Sequence, residues 1–261
     1  MRVIFIGDVF GKPGRRAIRE AIPFLKKTYS PDFILLNGEN AAHGAGITEK
    51  IVQELFSYGV DVITGGNHSF DKRRFLDKFD EFPFLLRPAN FPQGAPGKGY
   101  VVVEKNGLKL GVVNLQGRIG LPPLDSPFIV GRSIVEEIKK ETPCILIDFH
   151  AEATSEKKVM GFFMDGQVSA VAGTHTHIQT ADETILSHGT AYITDVGMTG
   201  IEDSAIGIDK RAALKSFLTL LPMNFEIAEG IASVNFVVID IEENGKAKSI
   251  IRGKWKEQDP F

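Results

Sequence analysis

Short apolar runs that stop abruptly at polar residues recur along the chain, and all but the last are followed by a stretch with helical spacing. Val3 to Ile6 gives way to Gly7-Asp8, Phe33 to Leu36 to Asn37-Gly38-Glu39-Asn40, and Val60 to Ile63 to Gly65-Gly66-Asn67-His68. Later, Cys144 to Ile147 runs into Asp148-Phe149-His150, and Val168 to Ala172 into Gly173-Thr174-His175-Thr176-His177. Continuous β-branched and aromatic runs of this length read as strands buried on both faces. Between them, Pro13 opens a helix with Ile18, Ile22 and Leu25 on one side, and further helices are predicted over 48–58 from Thr48, 69–80 from Ser69, 131–140, 154–164 and 208–221. Strands alternating with helices imply parallel pairing through right-handed crossovers.

Two stretches depart from that rhythm. The proline-rich segment from Pro83 to Pro127 holds two predicted strands, 100–104 and 108–114, joined at Asn106-Gly107. Hairpins are likewise predicted across 183–194, turning at His188-Gly189, and across 232–241 and 247–253, turning at Asn244-Gly245. Periodicity leaves open whether the strands form one mixed sheet or two sheets packed face to face. No repeat or linker divides the chain, so residues 1–261 are read as a single domain.

Composition narrows the function classes. A net charge of -3 gives no general attraction to nucleic acid or an anionic membrane, so any anion must be bound locally, and no sequence-specific nucleic-acid partner is expected. Cys144 is the only cysteine, which excludes an internal disulfide and fits a reducing, cytoplasmic setting. No apolar run approaches the roughly 20 residues of a membrane span.

The candidate chemistry lies where the apolar runs end. In open α/β sheets the ligand crevice lies outside the carboxyl ends of the strands. A lone Asp8 there more often caps a turn than binds a metal. Glu39, between Gly38 and Asn40, is not needed for a turn, and its paired oxygens suit bridging of two cations. The amide oxygen of Asn67 is a neutral hard ligand, and His68 beside it can donate a proton to a leaving oxygen. His150 alone would read as a core histidine. His175 and His177, one residue apart, would point to opposite faces of a continuing strand, so one ion takes both only if the backbone turns. Four of the six histidines sit at such ends, and that concentration favours a two-metal site. His43, in a glycine-rich loop near Glu39, is expected to line the substrate pocket, and His188 to lie at the surface. Gly7 to Pro13 looks like a phosphate loop but is one residue short and has Pro13 where Ser or Thr should hold magnesium, so Lys12 is read as solvated.

Gly7-Asp8, Gly38-Glu39-Asn40, Gly66-Asn67-His68, His150 and Gly173-Thr174-His175-Thr176-His177 together resemble the five motifs of calcineurin-like metallophosphoesterases. Within that superfamily the chain is most similar to the bacterial YmdB-type branch. Two departures from the wider pattern stand out: Asp8-Val9-Phe10 lacks the usual histidine, and Glu39 replaces an Asp, with Asn40 beside it. The resemblance implies an α/β sandwich of two mixed sheets with helices outside. It implies two metal ions, iron at both positions in the closer branch, with Asp8, Glu39, Asn40 and His177 on one and Glu39, Asn67, His150 and His175 on the other. Oxygen and imidazole donors alone do not choose among iron, manganese and zinc. Two divalent ions and two carboxylates would leave about +2 to attract a phosphodiester.

The expected activity is hydrolysis of 2′,3′-cyclic nucleotides to nucleoside 3′-phosphates. A hydroxide held between the metals would attack phosphorus and His68 would protonate the departing oxygen. Two rivals stand beside it. One keeps the fold and acts on phosphomonoesters or linear diesters; the other is a regulatory protein that binds a metal or nucleotide. A structural metal site seldom keeps a free histidine such as His68 beside it. The resemblance also allows a homo-oligomer, for which the sequence carries no interface signature.

Overall fold

The computed structural model describes residues 1–222 and 226–258; the remaining residues of the expected 1–261 domain lie outside that description. In chain order the strands are β1 (Arg2–Ile6), β2 (Asp8–Val9), β3 (Phe33–Asn37), β4 (Val62–Thr64), β5 (Tyr100–Lys105), β6 (Leu108–Gln116) and β7 (Ile145–His150). They continue as β8 (Ala170–Thr174), β9 (Thr184–Ile185), β10 (Ala191–Ile193), β11 (Met198–Ile201), β12 (Ala232–Ile241) and β13 (Ala247–Lys256). The α-helices are α1 (Gly11–Tyr29), α2 (Glu49–Ser57), α3 (Pro127–Ile138), α4 (Thr154–Met164) and α5 (Lys210–Thr219). None of the described helices is long and apolar enough to cross a membrane.

Two mixed sheets pack face to face. One runs β2-β11-β12-β1-β3-β4, with β13 on the other edge of β12, and the second runs β5-β6-β7-β8-β10-β9. The β1, β3 and β4 pairs are parallel, as are β6, β7, β8 and β10, while β12 is antiparallel to β1. Parallel strands in each sheet therefore end at a common rim.

The unbroken apolar runs follow from burial on both faces. In β1, Val3 and Phe5 face the second sheet, meeting the layer that holds Leu110, Val112 and Leu146, while Ile4 and Ile6 pack with Ile18, Ile22 and Leu25 of α1. In β7, Leu146 points inward, and Ile145, Ile147 and Phe149 pack outward with Val135, Met160 and Met164 of α3 and α4. Each fully buried side chain of this kind contributes roughly 1.5–3 kcal/mol.

Several expected boundaries move, each for a local reason. No α-helix starts at Ser69: its Oγ accepts from Gly66 N at 3.0 Å and donates to Gly66 O at 2.8 Å, which commits the segment to the Gly66 loop. A 3₁₀ helix begins only at Arg73 and ends at Glu81, burying Phe75 and Phe79. The third helix starts at Pro127 rather than 131, with proline in the first turn where its missing N–H costs nothing. The last helix begins at Lys210, capped by Asp209 Oδ1, which accepts from Arg211 N and Ala212 N. Thr48 precedes α2 without a side-chain cap. Finally β8 runs on to Thr174, so Gly173 and Thr174 lie inside the sheet rather than on a loop. A Cβ at Gly173 would fall 1.8 Å from Thr194 O.

Candidate metal centre

The rim of the sheets gathers the polar residues that follow β1, β3, β4, β7 and β8. Buried beneath them, Asp148 of β7 ties the two sheets together. Its Oδ2 accepts from Asn37 Nδ2 at 2.9 Å and Thr64 Oγ1 at 2.5 Å, both in the facing sheet, and its Oδ1 accepts from Thr174 Oγ1 at 2.7 Å. Asn37 Oδ1 in turn receives Glu39 N at 3.1 Å, which sets the loop that carries the glutamate.

After β8 the backbone turns at both histidines. His175 and His177 have φ of 99° and 66°, left-handed values that non-glycine residues adopt only when the surroundings hold them there. The residue between them provides the anchor. Asp195 Oδ2 accepts from Thr176 N at 3.0 Å and Thr176 Oγ1 at 2.7 Å, and from Lys157 Nζ at 2.7 Å, with Asp195 and Lys157 both buried.

Each of the three histidines has its outer nitrogen tied to an acceptor, which fixes the tautomer. Thr174 gives its only hydroxyl proton to Asp148, so His150 Nδ1 must donate to Thr174 Oγ1, at 2.9 Å. His175 Nε2 lies 3.0 Å from Glu152 Oε2, and His177 Nδ1 lies 3.1 Å from the carbonyl of Ile206. In the neutral form, the inner nitrogens then carry lone pairs.

Those lone pairs converge on others. His150 Nε2 stands 3.0 Å from Asn67 Oδ1, 3.1 Å from Glu39 Oε1 and 3.1 Å from His175 Nδ1. His177 Nε2 stands 3.2 Å from Asn40 Oδ1 and 3.8 Å from Asp8 Oδ2. Asn40 Nδ2 donates to Gly44 O, which turns its oxygen toward His177, and Asp8 Oδ1 is buried with no partner among the described residues. Two oxygens and two nitrogens at the first convergence, and two oxygens with a nitrogen at the second, fit cations of the nitrogen- and oxygen-loving kind. Glu39, His150 and His175 alone place their donor atoms within 4.8 Å of one another. Gly66 gives this cluster its room: a Cβ there would lie 2.2 Å from Glu39 Oε2 and 2.4 Å from the His150 ring.

A protonated His150 can hold the first convergence together. Burial pulls its pKa down, yet the charge and hydrogen bond of Glu39, with Asp8 and Asp148, push it up to about 9. For Glu39, burial acts upward but His150 and His68 outweigh it, lowering the carboxyl to about 2. Burial, then the His150 charge, takes His175 down to about 3. Asp8 is raised well above its ordinary value, chiefly by burial.

A model of the YmdB-like protein family matches residues 4–252. The chain belongs to that family. It is 55% identical over 94% of its length to the 2′,3′-cyclic-nucleotide 2′-phosphodiesterase of Bacillus subtilis (strain 168), 93% of which it covers. This YmdB-like chain is also similar to the crystal structure of a novel phosphatase from Mycoplasma pneumoniae, at a TM-score of 0.92 and 34% identity, covering 100% of this chain and 95% of that one. The 5′-nucleotidase precursor of Thermus thermophilus shares the two-sheet fold at a TM-score of 0.59, with 12% identity over 97% of this chain and 54% of that one.

Relative to the residues expected from sequence, the YmdB-like fold brings Asp8, Glu39, Asn40, Asn67, His150, His175 and His177 to one rim. His68 lines the adjoining cleft of about 350 Å³, its N–H donating to Glu39 Oε2 at 3.1 Å and its Nδ1 held by Asp71 Oδ2 at 2.7 Å. His43 is exposed, and Gly44 beside it lines the cleft. His188 is exposed and pairs with Asp165, and Lys12 is exposed on the first turn of α1. Sequence reasoning missed Asp71, Asp148, Glu152, Lys157, Thr174 and Asp195. One signal was available: Asp148 and His150 alternate with Phe149, as Leu146 does with Ile147, which places both on the inner face of β7.

Proposed function

We propose that the protein is a metal-dependent phosphodiesterase that opens 2′,3′-cyclic nucleotides to nucleoside 3′-phosphates. The observation that carries this reading is the double convergence of imidazole nitrogens and carboxylate or amide oxygens at the rim. The likeness to the Bacillus phosphodiesterase supports it. Asp8, Glu39, Asn40 and His177 would hold one metal ion, and Glu39, Asn67, His150 and His175 a second. Iron is the identity drawn from the family resemblance, and manganese and zinc suit the same donors. Bound there, the ions supply Lewis acidity that lowers the pKa of water and offsets charge on the phosphoryl oxygens.

The chain's own residues do the rest. Glu39 is the residue that would serve both ions; its Oε1 lies 3.1 Å from His150 Nε2 in the first convergence and its Oε2 accepts from His68 N. As the oxygen of water bonds to phosphorus and the bond to the ribose 2′-oxygen breaks, His68 gives a proton to that 2′-oxygen. Asp71 orients the His68 ring by holding Nδ1, leaving Nε2 to meet the substrate. Phe10, Ile206 and Ile208 form the apolar part of the cleft. His43, at the end of the same loop as Gly44, would reach only a substrate that protrudes from it. The reading treats the chain as a single catalytic domain with a small nucleotide as its partner. Its lone buried thiol, Cys144, fits the reducing cytoplasm.

Metal analysis of protein purified without added metal, paired with a panel of cyclic diesters, linear diesters and monoesters, tests the proposal. The expected result is about two equivalents of metal and fastest turnover of 2′,3′-cyclic nucleotides, with the 3′-phosphate as product. Preference for a monoester over every diester would overturn it.

A further inference from the structure

The metal-side cleft does not end at His177. On the far side of that residue and of Ile206, both of which line it as well, lies a larger cavity of about 590 Å³. Its wall includes Gln179, Ser204, Asn235, Arg252 and Lys254. Arg252, Lys254 and Lys256 alternate along β13 and so share one face of the strand. Two carboxylates answer these three cations: Glu202 is shared by Lys254 and Lys256, and Glu183 meets Arg252 Nε at 3.1 Å. Among the described residues the guanidinium makes no other ion pair. Pairs as exposed as these contribute about 0–1 kcal/mol, so their cations can turn to a stronger anion. A guanidinium fork is matched to phosphate oxygens.

The chemistry of the substrate says what such an anion could be. A 2′,3′-cyclic phosphate forms when a ribose 2′-hydroxyl attacks the neighbouring phosphorus and expels the next nucleotide, that is, by scission of RNA. The ring is therefore found at the 3′ end of a chain as well as on a free nucleotide. A chain continues from its terminal ribose through a further phosphodiester, and that anion needs a seat beside the cleft.

We infer that the cavity along β13 is this seat, and that the protein acts on short oligoribonucleotides ending in a 2′,3′-cyclic phosphate, with Arg252 and Lys254 binding the phosphodiester before the terminal nucleotide. The inference rests on the phosphodiesterase reading above. It agrees with the overall charge of -3, because the attraction is confined to one strand face rather than spread over the surface.

The test compares kcat/KM of the metal-loaded enzyme for a 2′,3′-cyclic mononucleotide and for a diribonucleotide with the same terminal cyclic phosphate. It is repeated for the variant Arg252→Gln/Lys254→Gln. The dinucleotide is expected to be favoured on the order of tenfold, the size of one charge-assisted hydrogen bond. The ratio should fall to about one in the double variant. Turnover of the mononucleotide with no dinucleotide advantage, or an advantage that survives the double variant, overturns the inference and leaves the phosphodiesterase reading standing. Failure to hydrolyse either compound overturns both.

Discussion

Nδ1 of His150 lies 2.9 Å from Oγ1 of Thr174, whose single proton is already committed to Asp148 at 2.7 Å. The relay therefore sets which nitrogen of His150 carries a lone pair into the cluster. Thr174→Val keeps the shape of the side chain and removes the hydroxyl. Metal affinity, read by competition with a chromogenic chelator, should fall about 10–100-fold, as is usual when a partner that orients a histidine ligand is lost. Thr64→Val, which removes a different bond to Asp148, should cost less, because the His150 tautomer is untouched. Equal losses in the two variants would reduce Asp148 to a fold staple.

His68 is separable from the proposed metal ligands. Its ring lies on the cleft wall, bonded to Asp71 rather than to the converging donors. His68→Ala should lower kcat by about 10²-fold or more while metal content stays that of the wild type. Asp71→Asn should lower it less, since the ring remains and only its orientation loosens. Unchanged kcat in His68→Ala would remove the imidazole from proton transfer.

Proton release on metal binding carries a definite sign. In the metal-free protein the His150 pKa stands near 9, above its ordinary value of 6.5. The stabilisation it shares with Glu39 is thus fully present between about pH 4.5 and 6.5, and is lost as pH rises through about 9 or falls through about 2. A cation at His150 Nε2 must displace that proton. Binding at pH 7 should release at least about one proton, measured by calorimetry in buffers of different ionisation enthalpy. Apparent affinity should rise with pH and level off above about 9. Binding without proton release would mean that His150 is not a ligand.

The strands were legible in the sequence because burial on both faces leaves an unmistakable apolar run, and the residues gathered at the candidate site were legible because polar chemistry begins where each run stops. The two-sheet arrangement was not, since a run buried on both faces reads the same whether a helix or a second sheet covers it. Ser69 shows how local signals mislead: a good N-cap residue spends its hydroxyl on the Gly66 loop instead. The supporting residues were hidden for another reason. Asp148 touches partners 84 and 111 positions away in the chain, and no window of sequence reports such a contact.

The buried pair of Lys157 and Asp195 offers a test in which stability and site geometry separate. Lys157→Met leaves Asp195 as a buried charge without its cation and should cost about 3–5 kcal/mol, read by denaturant unfolding of the metal-free protein. Changing both residues, Lys157→Met with Asp195→Leu, removes the stranded charge and should recover much of that stability, because a buried ion pair replaced by apolar groups is often nearly neutral. The double variant nonetheless loses the acceptor that holds Thr176 N and Oγ1 at 3.0 and 2.7 Å. With that anchor gone, His175 N still donates to Asp8 Oδ2 at 2.8 Å, but the two bonds at Thr176 between the histidines are lost, and each left-handed conformation costs of order 1–3 kcal/mol to maintain. The recovered fold should therefore bind metal weakly. A double variant that regains both stability and full metal content would show that the turn holds itself, with Asp195 serving the core alone.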